Sequence, residues 1–77
     1  MSLVIKRQLL EKDNRKIMIE VFSTTSTMGV DFTSAIFGEL GDEVDSVVWL
    51  TLDAANKDFD RMVKEWQEKG FSIVNED

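Results

Sequence analysis

The chain of 77 residues contains no cysteine, no histidine and no proline. Without cysteine it can form no disulfide and no thiolate nucleophile, and without histidine it lacks the commonest metal ligand and general base. These absences exclude most classes of small enzyme, and we expect no catalytic residue, no cofactor and no metal. A domain this small usually needs a disulfide, a metal or a partner for its stability, so the sequence predicts association.

Long apolar runs are also missing, since the first ten residues contain only residues 3–5 as an unbroken apolar stretch. A membrane span needs about 18 such residues, so we expect neither a span nor a signal peptide, and a cytoplasmic location. The net charge is −6, and residues 17–56 hold seven acids and no base. This balance disfavours nucleic acid as a partner. With 43% hydrophobic residues, the composition predicts one folded domain over residues 1–77.

The clearest element lies near the carboxyl end. Four apolar residues recur at the spacing of one helix face, namely Phe59, Met62, Val63 and Trp66. The pattern predicts an amphipathic helix over residues 57–69, capped by Asn56 and ended by Gly70. Residues 71–74 then form a short strand, with Phe71 closing over the end of the helix.

Three further segments have the composition of strands. Residues 44–52 are apolar on both faces, which is typical of a central strand. A turn at residues 41–43 separates this segment from residues 31–40, so the two are predicted to form a hairpin. Residues 4–10 alternate and are a fourth strand candidate.

Residues 15–28 allow two interpretations. Ile17 and the residues up to Phe22 have strand propensity, but this segment also presents a helical apolar stripe. A helix there takes Asp13 or Asn14 as its cap, whereas a strand leaves residues 23–28 as a polar loop. We prefer the helix. The predicted fold is then α+β and ferredoxin-like, βαββαβ, with a four-stranded antiparallel sheet and two helices on one face.

The sequence resembles the first third of an ACT domain over residues 13–21 and 28–32, with the predicted helix between them. In that family the pattern of this part is D-x-P-G-x-L-x-x-V, then a helix, then G-[IV]-[ND]-[IF]. Residues 48–53, the second helix and residues 70–74 resemble the rest of that family, and also the related NIL domain. The resemblance implies a regulatory module, forming a homodimer or a higher homo-oligomer, that binds an amino-acid-like ligand at the subunit interface and signals to an effector protein.

By this resemblance, the ligand site consists of the residues that enter the first helix and those that open the second strand. They are Asp13, Asn14, Arg15, Lys16, Ile17, Gly29, Val30 and Asp31. The sequence departs from the family pattern at Arg15 and Lys16, which replace its Pro and Gly, and at Thr24 and Thr25, which replace leucines of the helix. A lysine side chain in the ligand space favours an alternative, a constitutive dimerisation or protein-interaction module without a small ligand.

That alternative depends on the sheet face opposite the helices. Because side chains alternate along a strand, Trp49 and Val47 are predicted to lie on that uncovered face, with Phe37 or Ile36 from the neighbouring strand. Phe37, Val47 and Trp49 are therefore the predicted interface residues. The other interpretation is a single Trp packed under nearby side chains.

Two charged clusters have simpler interpretations beside the functional ones. Lys12, Arg15 and Lys16 suit an anion at a helix N-terminus, but a solvated basic turn is the favoured interpretation. Residues 42, 43 and 45 are acids of the kind that bind calcium, yet their spacing does not match the EF-hand pattern, and a solvated turn is favoured. A third class of function, an acylphosphatase-like enzyme, would require a glycine-rich phosphate cradle that the sequence lacks.

Overall fold

A computed structural model describes residues 2–74 of the chain. Met1 and residues 75–77 of the predicted domain lie outside the described residues. The elements follow one another as β1 (Ser2–Lys12), β2 (Arg15–Ser26), β3 (Gly29–Phe37), β4 (Glu43–Trp49), α1 (Leu52–Glu68) and β5 (Ser72–Val74).

The five strands form one antiparallel sheet in the order β4-β3-β2-β1-β5. The first four strands are a meander in which each pairs with the next. The helix then crosses one face of the sheet and delivers β5 to the free side of β1, where Val74 pairs with Leu9. The predicted ferredoxin-like fold with two helices is therefore wrong, because the described residues contain one helix and five strands.

The error lies in residues 15–28, which form strand β2 and the turn that follows it. Ile17, Ile19 and Val21 are buried while the residues between them are less so, which is the two-residue period of a strand. All three are β-branched, and such side chains lose rotamer freedom in a helix but pack well on a pleated sheet. The segment predicted as a polar loop, residues 23–28, mostly continues the strand.

Asp13 and Asn14, predicted as helix caps, make the turn between β1 and β2. Both have positive φ, 50° and 68°, and Lys12 pairs directly with Arg15 across them. A two-residue turn with positive φ at both positions matches the right-handed twist of the flanking strands, and Asp and Asn tolerate that conformation best after Gly. This turn fixes the register of β1 on β2.

The other predicted strands are confirmed with small shifts at their ends. The segments predicted at residues 31–40 and 44–52 correspond to the β3–β4 hairpin. Strand β3 begins two residues before the predicted start and ends three residues before the predicted end, and β4 begins one residue before and ends three residues before. Residues 4–10 lie within β1, and residues 71–74 contain β5.

Helix α1 starts five residues earlier than predicted. Thr51 is the cap, and its hydroxyl oxygen accepts a hydrogen bond of 3.2 Å from the backbone N–H of Ala54. Asn56, the predicted cap, lies inside the helix, and its side-chain oxygen is buried without a hydrogen-bond partner among the described residues. Ala54 and Ala55, both strong helix formers, favour the earlier start.

The end of α1 is a Schellman motif. Gly70 has a φ of 101°, and the N–H groups of Gly70 and Phe71 donate to the carbonyls of Gln67 and Trp66 at 2.9 and 3.1 Å. The ring of Phe71 meets that of Trp66 edge to face at 5.2 Å. The prediction that Phe71 closes over the helix end is therefore confirmed.

The core lies between α1 and one face of the sheet. Its buried members are Leu10, Ile17, Ile19, Val21, Ile36, Ala55, Phe59, Met62 and Phe71. Within residues 2–74, no helix combines the length and apolar character that crossing a membrane requires.

Candidate interaction surface

The face of the sheet opposite α1, here called the open face, carries two rows made up mostly of apolar side chains. In the first row, register places Phe37, Met18, Leu9 and Val74 side by side across β3, β2, β1 and β5. In the second row, it places Val48, Phe22 and Val4 across β4, β2 and β1, with the polar residue Thr33 of β3 between Val48 and Phe22. No element of residues 2–74 packs over these rows.

The open face follows directly from the alternation of β2. Ile19 points into the helix-covered core and is fully buried, so its neighbours Met18 and Glu20 point the other way. An antiparallel sheet with one wet face normally carries polar residues on that side. On β2 the open side instead alternates between polar and large apolar side chains, with Met18 and Phe22 among them.

A polar row separates the two apolar rows. It contains Ser46, Glu20 and Arg7 from β4, β2 and β1, with the small, buried Ala35 of β3 between Ser46 and Glu20. At the end of the open face near the β1–β2 turn, Lys16 lies 4.0 Å from Glu11, its cross-strand neighbour. The open face therefore combines apolar rows with charged residues of both signs.

The first apolar row borders a shallow depression of about 410 Å³. Leu9, Met18 and Phe37 supply its apolar floor, while Lys16, Glu20 and Glu39 lie at its rim. A depression with an apolar floor of this kind has room for a protruding apolar side chain of a partner.

The helix-covered face holds a buried polar network instead. The hydroxyl of Ser34, fully buried, donates to the Asp58 carboxylate at 2.6 Å, and the indole N–H of Trp49 donates to the Ser34 oxygen at 2.9 Å. Arg61 completes it with a 2.8 Å bond from Nε to the other Asp58 oxygen.

The pKa of Arg61 is raised above its ordinary value by this hydrogen bond, and by the charges of Asp58, Glu65 and Asp45, against a smaller opposing effect of desolvation. The network joins β3, β4 and α1. Because Ser34 is closed off from solvent, its hydroxyl is positioned for structure rather than for nucleophilic attack.

The three predicted interface residues do not share a face. Phe37 lies in the first apolar row of the open face. Trp49 and Val47 lie on the helix side, in register with Phe32 and Ser34, and Trp49 packs against the core. The prediction that Trp49 lies on the uncovered face is wrong, because it assigned the two faces of β4 the wrong way round. The apolar residue that β4 presents on the open face is Val48.

The predicted ligand residues fall into two groups at opposite ends of β2. Asp13 and Asn14 form the first turn, with Arg15 and Lys16 at the start of β2. Gly29, Val30 and Asp31 begin β3 at the other end. Ten residues of β2 separate the groups, which is roughly 32 to 34 Å at the rise of an extended chain.

Ile17, the remaining predicted ligand residue, belongs to the buried core under α1. It is exposed to only 6%, so it presents little surface to a ligand. One protomer therefore does not bring the predicted site together.

The basic residues of the first turn do not face a helix N-terminus, since β2 replaces the predicted helix. Lys12 instead donates from Nζ to the backbone carbonyl of Lys69 at 2.8 Å. A cation at the carboxyl end of a helix satisfies an orphan carbonyl and complements the helix dipole. Among residues 2–74, no three carboxylates are arranged to hold a metal ion, and this includes the acids at 42, 43 and 45.

Sequence reasoning missed the open-face residues Met18, Phe22 and Leu9. The signal was present in the alternation of Ile17, Ile19 and Val21, which already assigns the intervening residues to a second face. The Asp13–Asn14 pair was a second signal, because two residues that tolerate positive φ between two strand-like segments indicate a hairpin.

No family model, no curated protein and no solved structure matches this chain.

Proposed function

We propose that the chain is a non-catalytic protein-interaction module that forms a homodimer by stacking the open faces of two sheets. The observation that carries this proposal is the pair of apolar rows on a sheet face that nothing in residues 2–74 covers. Large contiguous apolar patches on small proteins mark interaction sites, and a short chain without disulfides gains stability when such a patch is buried.

The size of the open face suits this role. In the overlap, β1 and β2 contribute roughly ten residues each and β3 and β5 contribute three each, which at a strand spacing of about 4.8 Å gives a projected area of about 400 Å² per protomer. Side-chain relief adds to that figure, and stable interfaces bury about 600 to 1,000 Å² on each partner. Two such faces would pack about 10 Å apart, as in a β-sandwich.

The register supports a particular symmetry. A two-fold axis parallel to the strands, between β1 and β2, lays each residue of β1 against the β2 residue with which it already pairs within the protomer. Leu9 then faces Met18 of the partner subunit, Val74 faces Phe37 of the partner subunit, and apolar rows meet apolar rows.

The charged residues agree with the same axis. Glu11 faces Lys16 of the partner subunit, and Arg7 faces Glu20 of the partner subunit, so opposite charges meet at every position. An isologous interface must be self-complementary, and this arrangement meets that condition in both its apolar and its charged rows. Strand β4 lies outside the overlap.

The amino-acid-sensor hypothesis lacks comparable support. It requires the Asp13 turn of one subunit to meet Asp31 of the other, but an axis parallel to the strands keeps like ends together. We therefore favour the module without a small ligand.

Light scattering or sedimentation tests the dimer directly. We expect the chain to have twice its 8.8 kDa mass and the Phe22→Lys variant to have the monomer mass, because a lysine in the second row would be buried without a counter-charge. The matched control is Leu40→Lys, which changes an exposed residue of the β3–β4 loop and should leave the dimer intact. A wild-type chain that stays monomeric at high concentration would refute the proposal.

The symmetry can be tested separately because the chain has no native cysteine. A spin label on a cysteine replacing Asp13 would lie at the same end of the dimer as its counterpart, so we expect a short distance between the two labels. An axis perpendicular to the strands would separate them by about the length of β2, roughly 40 Å. The long distance would favour the sensor geometry instead.

A further inference from the structure

The outer edge of β4 is a second surface, distinct from the open face. Residues Glu43–Trp49 pair with β3 on one side, and no strand within residues 2–74 lies on the other side. Six of its seven residues are exposed. An edge strand of this kind presents a row of backbone N–H and C=O groups that can pair with another chain.

The edge has a regular stretch long enough to pair. Val44 is the extra residue of a bulge, because Ile36 pairs with Asp45 and Phe37 with Glu43. From Asp45 to Trp49 the pairing is regular, which is five residues or about 17 Å. Val47 and Val48 lie on opposite faces of this stretch, exposed to 37% and 63%, and each can contact an added strand.

The charge around this edge has one sign. Glu39, Asp42, Glu43 and Asp45 lie on it or in the loop before it, and residues 17–56 contain no base. On the helix side, the charge of Asp45 acts on Arg61, but the guanidinium of Arg61 is held by Asp58 and by Glu65 at 2.6 Å. The acids at the start of β4 therefore lack a basic neighbour within their own hairpin.

We infer that the edge of β4 binds a basic, extended segment of another protein, which adds to the sheet as a sixth strand. Backbone hydrogen bonds would supply affinity, and side-chain complementarity would supply specificity. For an antiparallel strand, the segment would place apolar residues opposite Val47 and Val48 and, towards its carboxyl end, Lys or Arg opposite Asp45 and Glu43.

Two other occupants fit less well. A second β4 would bring two acidic edges together, which like-charge repulsion opposes. The amino-terminal part of β1 from a second copy has suitable charge in Lys6 and Arg7, but a bulge between Val4 and Lys6 bends that edge, and the contact would propagate into an open fibre.

This inference does not depend on the proposed dimer. In the stacked arrangement β4 lies outside the overlap, so each subunit would keep its edge free, and a monomer would present the same edge.

The test uses a seven-residue peptide with blocked ends, in which two valines precede alternating threonine and lysine, and a matched peptide with glutamate in place of lysine. Backbone amide chemical shifts of the labelled full chain are recorded during titration with each. We expect the largest changes in residues 45–49 with the basic peptide only, and an affinity that falls as salt is added.

A charge reversal then identifies the edge. The variant Glu43→Lys/Asp45→Lys should lose roughly tenfold or more in affinity for the basic peptide and gain affinity for the acidic one. The matched control Asp60→Lys/Glu68→Lys makes the same charge change on exposed positions of α1 and should retain most of the binding. Binding of the basic peptide by this control variant would show that the loss in the β4 variant comes from local pairing and not from a long-range effect of net charge.

Three outcomes would overturn the inference: shifts confined to the open face, equal binding of both peptides, or equal loss in both variants. A rise in mass with concentration that the β4 reversal abolishes would also overturn it, in favour of β1 from a second copy. Solution mass, recorded on the same samples, reports separately on the open-face dimer, which the β4 reversal should leave unchanged.

Discussion

The two faces of the sheet use the same strands in different ways. On the helix side, β2 contributes Ile17, Ile19 and Val21 to a closed core, beside a hydrogen-bonded polar network around Asp58. On the open side, β2 contributes Met18 and Phe22 to a surface that solvent still reaches. A strand can therefore carry apolar side chains on both faces while its own chain covers only one of them. The uncovered apolar face then indicates a binding partner.

The strongest test of this contrast compares neighbouring residues of β2 that point to opposite faces. Ile19→Ala should lower the free energy of unfolding by about 3 to 4 kcal/mol, because Ile19 is fully buried and the core cannot collapse around the cavity. Met18→Ala should cost about 1 kcal/mol in dilute solution, where the open face is wet. Urea unfolding at two protein concentrations measures both.

If the open face stacks in a dimer, the loss in free energy of unfolding caused by Met18→Ala should grow with protein concentration. The loss caused by Ile19→Ala should change little. Equal costs at low concentration would show that the open face is covered within one protomer, and the contrast between the faces would fail.

The polar network on the helix side gives the next largest effect. Asp58→Ala leaves the buried Ser34 hydroxyl and the Arg61 guanidinium without the carboxylate that accepts their hydrogen bonds, so we expect a loss of about 2 to 3 kcal/mol. Asp60→Ala is the matched control, since Asp60 is an exposed acid of the same helix and should change stability by less than about 0.5 kcal/mol. Thermal unfolding of both variants decides whether the network stabilises the fold.

The glycine that ends α1 tests how the helix is held on β1. Gly70→Ala imposes a positive φ on alanine and brings its Cβ to 3.1 Å from Nζ of Lys12, so we expect a loss of about 1 to 2 kcal/mol. Gly41→Ala has the same kind of backbone strain, with φ at 81°, but nothing within 4 Å of the new Cβ. A larger cost at position 70, measured by chemical unfolding, would show that the Lys12 contact matters.

The smallest expected effect concerns the turn that sets the register of both faces at once. Asn14→Gly should raise stability by about 0.5 kcal/mol, because glycine takes a φ of 68° without the strain that a Cβ carries. Asn14→Ala should lower it by about 1 kcal/mol for the opposite reason. If both variants lower stability equally, the side chain of Asn14 matters more than its backbone conformation.

Much of the fold was predictable from local patterns. The stripe of Phe59, Met62 and Trp66 indicated α1, and the Gly70–Phe71 pair indicated its end, since both signals depend on residues close in sequence. Residues 15–28 failed because Ile17, Met18, Val21 and Phe22 satisfy a helical and a strand period together, and tertiary packing decides between them.

The candidate surface could not have been located before β2 was known to be a strand. A two-helix arrangement left Trp49 as the prominent exposed aromatic residue, whereas the meander turns Trp49 towards Ser34 and exposes Phe22 and Met18 instead. Which face of β4 is covered is settled by the path of α1, and no short-range pattern in β4 encodes it.

The long return of the chain from β4 through α1 to β5 has a consequence for motion in the native state. Strand β5 has three residues and meets β1 across a separation of more than 60 positions, while β1 to β4 are joined by tight turns. Local opening begins where few contacts must break, so the amide hydrogens of β5 should exchange with solvent well before those of β2. Each such opening would free the outer edge of β1 around Leu10 while the meander stays folded.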